Sequence, residues 1–140
     1  MKRIERIEVE TFSHATESLE KVLGTLLNLG VPNELIETED TYGHYGNTIT
    51  VVKANIKRQN QIKAFIDSPF FKSTREDILL SLLERIDDKG VLHIRADKQD
   101  LFYNSFKLYD RGDVRILIKI LSYPLRKEKV IENAKEIFGN

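Results

Sequence analysis

Thr41-Tyr-Gly-His-Tyr-Gly-Asn47 separates two β-prone runs, residues 35–42 and 48–56. Gly43, Gly46 and Asn47 are the residue types that tolerate φ > 0, so the stretch predicts a tight reversal and the flanks pair as a hairpin. Its loop is longer than a two-residue turn. The second run is rich in β-branched residues. The first carries Glu37, Glu39 and Asp40, which marks it as an edge strand kept soluble by charge.

Outward from this hairpin, hydrophobic periodicity alternates between period 2 and period 3.6. Residues 4–12 alternate, with Ile7 and Val9 on one side and Arg6, Glu8 and Glu10 on the other. Ser13 or Thr16 then offers a helix cap, and Leu19, Val22, Leu23, Leu26 and Leu27 follow at helical spacing until Gly30 and Pro32. Residues 59–66 predict a short helix. Ser73-Thr-Arg-Glu76 resembles a capping box for a further helix carrying Ile78, Leu79, Leu82, Leu83 and Ile86. Residues 91–96 predict a strand, with Leu92, Ile94 and Ala96 opposite Val91, His93 and Arg95. Asp97 is placed to cap a helix through about residue 106. Residues 113–122 form the cleanest strand, and residues 125–138 a last helix.

The implied order is β-α-β-β-α-α-β-α-β-α. This predicts a two-layer α+β domain over residues 1–140, with one mainly antiparallel sheet of about five strands and helices on one face. The open face should then show Arg6, Glu8, His93, Arg95, Arg115 and Lys119. Such a pattern suits a cationic binding surface, and equally the solvated face that many antiparallel sheets carry without a partner.

Composition narrows the function classes. The chain has 140 residues, 41% apolar and 31% charged, with 22 basic and 22 acidic side chains. Zero net charge gives no general attraction to nucleic acid, but the charges are unevenly placed. Lys53, Lys57, Arg58, Lys63, Lys72 and Arg75 meet only Asp67 between residues 53 and 75. Lys21 faces Glu34, Glu37, Glu39 and Asp40 between residues 21 and 50. There is no cysteine, which excludes disulfides and thiolate metal sites and fits a cytoplasmic location. No apolar run reaches membrane-span length, so no membrane association is expected.

Enzyme signals are missing. His14, His44 and His93 lack the spacing of a metal pair, and no metal or other cofactor is expected. There is no Gly-x-Ser-x-Gly elbow and no phosphate-binding glycine loop. The chain is therefore expected not to be an enzyme. The residues suited to RNA are the planar Tyr42, His44 and Tyr45 at the hairpin tip, the run Lys53, Lys57 and Arg58, and the cations Arg95, Lys98, Arg115 and Lys119. Tyr42 and Tyr45 suit hairpin packing as well. The open face has no RRM-type aromatics, so contacts to backbone and shape are expected to outweigh base readout.

Three stretches carry a family resemblance. They are residues 2–16 (KRIERIEVETFSHAT), Tyr42-Gly-His-Tyr-Gly-Asn47 with Ile49, and Leu92-His-Ile-Arg-Ala-Asp-Lys-Gln99. In this order they resemble an archaeal family of small proteins described as predicted exosome subunits or RNA-binding proteins. The resemblance runs over essentially the whole chain. It implies a fold like that of a large-ribosomal-subunit protein, with helices against one antiparallel sheet. It also implies a non-catalytic role accessory to RNA processing or degradation, with RNA and exosome- or ribosome-related proteins as partners. His44, Asn47, Arg95, Asp97, Lys98 and Gln99 match the family's motifs; Thr48 stands where the family is expected to have proline. The expected RNA-binding set is His44, Tyr45, Asn47, Lys53, Lys57, Arg58, Arg95, Lys98, Gln99, Arg115 and Lys119. The alternative is a protein-interaction scaffold or a homodimeric adaptor that uses an open sheet edge and does not touch RNA.

Overall fold

The computed structural model describes residues 3–43 and 45–139. The strands are β1 (Ile4–His14), β2 (Ile36–Tyr42), β3 (Thr48–Ile56), β4 (Val91–Ala96) and β5 (Val114–Ile120). The helices are α1 (Leu19–Leu29), α2 (Gln59–Ile66), α3 (Pro69–Leu80), α4 (Leu82–Arg85), α5 (Lys98–Phe102) and α6 (Lys127–Phe138), and a 3₁₀ turn precedes β2. The strands form one antiparallel sheet in the order β2-β3-β1-β5-β4. The expected α+β two-layer architecture is what the chain adopts.

Alternation decides which face is covered. Ile7, Val9, Thr11, Val52, Ala54, Ile56, Leu92, Ile94, Ala96, Val114, Ile116, Ile118 and Ile120 are all buried on the helix side. α1 adds Val22, Leu26 and Leu29, each side chain contributing roughly 1.5–3 kcal/mol by leaving water. At the far end Phe71 meets Phe70 edge-on at 5.1 Å and Phe65 at 5.2 Å, and stacks on Phe138 at 6.0 Å. This aromatic knot ties α2, α3 and α6 together.

Several local expectations are corrected. Ser18, not Ser13 or Thr16, caps α1, its Oγ accepting from the Lys21 N–H at 3.4 Å. β1 runs on to His14, which leaves Ser13 inside the strand. The Ser73–Glu76 capping box is helix interior, because Pro69 starts α3: its missing N–H is harmless at N1 and its φ is already helical. Starting there brings Phe70 and Phe71 into the core. Ser81 then breaks the long helix, so α4 is a separate turn. Asp97 caps α5 as expected, accepting from the Asp100 N–H at 3.1 Å. α5 stops at Phe102 instead of near 106, since Asn104 takes a left-handed φ of 56°.

The two sheet edges differ. β4 is shielded: the Arg95 carbonyl accepts the Tyr109 N–H at 3.0 Å, and Arg85 reaches the His93 carbonyl at 3.4 Å. β2 is exposed along nearly its whole length. No described helix is long and apolar enough to cross a membrane.

Candidate nucleic-acid interface

The registers turn the alternating polar residues into rows across the open face. Glu37, Lys53, Glu10, Arg115 and Arg95 form one row, each opposite the next. Asn55, Glu8, Leu117 and His93 form another, and Arg6, Lys119 and Val91 a third. Lys57, just past β3, continues the alternation beside Arg6. Charge therefore grades across the sheet. The β2 side holds Glu37 and Glu39, and the β5–β4 side holds Arg115, Lys119, Arg95 and His93.

Arg95 and Arg115 are direct cross-strand neighbours. Like charges directly opposite on neighbouring strands disfavour each other by roughly 0.2–1 kcal/mol, and here each head turns to its own partner. Compensation is thin. Arg95 donates to the Gly112 carbonyl at 3.1 Å, and Arg115 lies 3.9 Å from the Glu10 carboxylate with 42% of its side chain exposed. A phosphate would relieve this repulsion and use the planar donors of both side chains. Gly112 holds the geometry: a Cβ there would lie 2.2 Å from the Ala96 carbonyl oxygen.

His93 hydrogen-bonds Asp87 at 2.8 Å. Burial pushes the Asp87 carboxyl up, but the His93 bond, the Val91 and Lys89 N–H groups and the charge of His93 outweigh it and hold the group below its usual value. Lys119 donates to the Lys89 carbonyl. Lys57 and Arg58 are exposed, with no ion pair among the described residues.

The expected site residues do not converge on one spot. Arg95, Arg115 and Lys119 share the basic strip, and Lys57 and Arg58 lie at its corner near the start of β1. Lys53 is on the same face but on its acidic side, 3.5 Å from Glu39. Tyr45 and Asn47 sit at the opposite end of the sheet, where they border a shallow hollow with His14 and Ile49; β3 separates them from Lys57 by about 30 Å at ~3.3 Å per residue. His44 lies outside the described residues. Gln99 belongs to the helical layer, in a cleft of about 430 Å³ with Lys21, Phe102 and Tyr103.

Lys98 is turned inward and not presented on the open face. Its ammonium donates to both Glu17 oxygens at 2.9 and 2.8 Å and to the Phe12 carbonyl at 2.7 Å, and only 12% of the side chain is exposed. Asp113 stands 3.7 Å away. The Glu17 carboxyl is pushed up by burial, but the Lys98 bond, the His14 N–H and the neighbouring positive charges prevail and lower it. Lys98 is a structural tie between β1 and α5. Local sequence does not reveal it, because Glu17 lies 81 residues away.

Phe12 joins the open face although no sequence signal singled it out for RNA. It alternates onto that face opposite Val51, half-buried among the polar rows, so the face does present an aromatic ring. Its position between Thr11 and Ser13, both of which point into the core, is the signal that could have found it.

Fold and strip together define a one-sided α+β sheet domain whose open face is cationic along one half. Within that class, the chain belongs to the family described as RNA binding, whose model matches residues 6–122. The RNA-binding protein PAB1135 of Pyrococcus abyssi is 35% identical over 142 residues, covering 93% of this chain and 90% of that protein. Among solved structures, Mth689, a DUF54 protein from Methanothermobacter thermautotrophicus, superposes with a TM-score of 0.83 at 30% identity over 98% of this chain and 99% of its own. AF2318 from Archaeoglobus fulgidus gives 0.79 at 34% over 96% and 99%.

Proposed function

We propose that the protein binds RNA on the β5–β4 half of the open sheet face, without catalysing a reaction, as an accessory to RNA processing or degradation. The observation that carries this is the Arg95–Arg115 pair, two guanidinium groups on neighbouring strands, with a single carboxylate 3.9 Å from Arg115. Lys119, Lys57 and Arg58 extend the positive surface toward the start of β1, where Arg6 is paired with Glu5 and lies 3.8 Å from Glu8. Phe12 offers a ring for one unstacked base, a contact tolerant of sequence. Phosphates would supply most of the affinity, so binding should be strongly salt-dependent. The non-catalytic part of the proposal is tested by incubating RNA with the protein, with and without a divalent cation: intact RNA is expected, and cleavage lost on replacing His93 would overturn it.

An association with the exosome or with ribosome-related proteins is part of the same proposal. Its support is the motif resemblance at residues 42–49 and 92–99. Filter binding tests the central claim, with a labelled single-stranded RNA and a labelled hairpin RNA at about 25 mM salt. Retention of the single strand that falls steeply with added salt is expected. No retention of either RNA at tens of micromolar protein would end the proposal.

A further inference from the structure

β2 is a strand with one side unused. The Gly43 N–H donates to the Asn47 carbonyl at 2.7 Å, which makes that pair a hydrogen-bonded one. In an antiparallel ladder such pairs alternate with non-bonded ones. The continuous register from Ile36–Ala54 to Tyr42–Thr48 then places Thr41, Glu39 and Glu37 in bonded pairs with β3. The N–H and C=O groups of Thr38, Asp40 and Tyr42 consequently point away from the sheet. None of these backbone groups has another hydrogen-bond partner among the described residues. They form an open template for a further strand.

The charge on this edge selects what can add. Residues 22–52 contain no lysine or arginine. Glu37 and Glu39 flank the edge on the open face and Asp40 on the other. Lys53 approaches Glu39 at 3.5 Å, and Glu37 and Asp40 make no ion pair among the described residues. A second copy pairing β2 with β2 would set these carboxylates against one another. RNA would meet the same repulsion. An extended chain with Lys or Arg at alternate positions meets neither obstacle, because opposite charges across a strand pair attract.

We infer that the β2 edge takes up an extended, Lys/Arg-rich segment of a partner protein as a sixth strand, by β-augmentation. The site lies across the sheet from the proposed RNA strip, so either activity can fail while the other stands.

The probe is an acetylated, amidated peptide of alternating lysine and valine, as long as β2 at seven residues. Amide NMR of the full chain should show saturable shifts and slowed exchange at Thr38, Asp40 and Tyr42. The glutamate–valine counterpart should bind at least about tenfold more weakly. Thr38→Pro removes an outward N–H that β3 does not use, so the hairpin keeps its bonds while peptide affinity falls by about tenfold or more. Glu37→Lys/Glu39→Lys leaves the backbone untouched and should abolish binding of the lysine peptide; Thr38→Pro, which changes no charge, should not alter RNA retention. Equal binding by wild type and Thr38→Pro, or no saturable shift at about 1 mM peptide, would overturn the inference. So would β2-mediated dimerisation in sedimentation experiments without peptide.

Discussion

Replacing both Arg95 and Arg115 by alanine separates an RNA-binding strip from a merely solvated sheet face. Each phosphate bound on a single strand adds about 0.7 to the slope of log affinity against log salt. Removing both guanidinium groups should therefore flatten the slope by ~1.4. At about 0.1 M salt that equals ~1.4 log units, or ~25-fold in Kd, ~1.9 kcal/mol. Stability should hardly change. The variant gives up the Arg95 bond to Gly112 at 3.1 Å and the half-exposed Arg115–Glu10 pair at 3.9 Å. It is also freed of the repulsion between the guanidinium groups, so the net shift should stay within about 1 kcal/mol. Fluorescence anisotropy with a labelled single-stranded RNA over a series of salt concentrations reads the slope, and a urea melt reads stability. Arg95→Lys/Arg115→Lys keeps the charges and should keep most of the slope. An unchanged slope in the alanine variant would refute the assignment, and so would a drop in affinity matched by disappearance of the urea transition.

Other outcomes follow from single side chains. Phe12→Ala should weaken single-stranded RNA by about 1–3 kcal/mol and leave a hairpin stem unaffected, read by competition between the two RNAs. Gly112→Ala should destabilise the fold by about 1–3 kcal/mol, because the new methyl meets the Ala96 carbonyl at 2.2 Å and backbone must move; a urea melt checks it. Lys98→Met should cost about 2 kcal/mol by leaving the Phe12 carbonyl without this donor and the Glu17 carboxylate with the His14 N–H alone. The folded Glu17 carboxyl titrates below its unfolded value, so its contribution is present above the unfolded pKa of about 4.5 and disappears as pH falls through the lower folded value. Acid titration of wild type and Lys98→Met should therefore converge in stability below that range. A constant gap down to about pH 2 would show that packing, not charge, is at stake.

Much of the fold was legible because strand and helix leave different periods in one dimension. The β3 boundaries, the β4 and β5 faces and the Asp97 cap all follow from side chains within a few residues of one another. The misplaced starts of α1 and α3 show the limit of local signals. Ser13, Ser18 and Ser73 are all plausible caps in isolation. Burial of Phe71 against Phe138 and of Phe70 against Phe106 favours the Pro69 start, and those contacts reach far along the chain.

By itself the amino-acid order determined the alternation that makes one sheet face polar, and so the existence of an open surface bearing Arg95, Arg115 and Lys119. Only tertiary structure decided which charges on that surface remain available. Strand order brought Arg115 beside Arg95, drew Lys53 to Glu39 and consumed Lys98 on Glu17. Coulomb energy depends on distance in space, and strand pairing sets those distances between residues that the sequence keeps far apart.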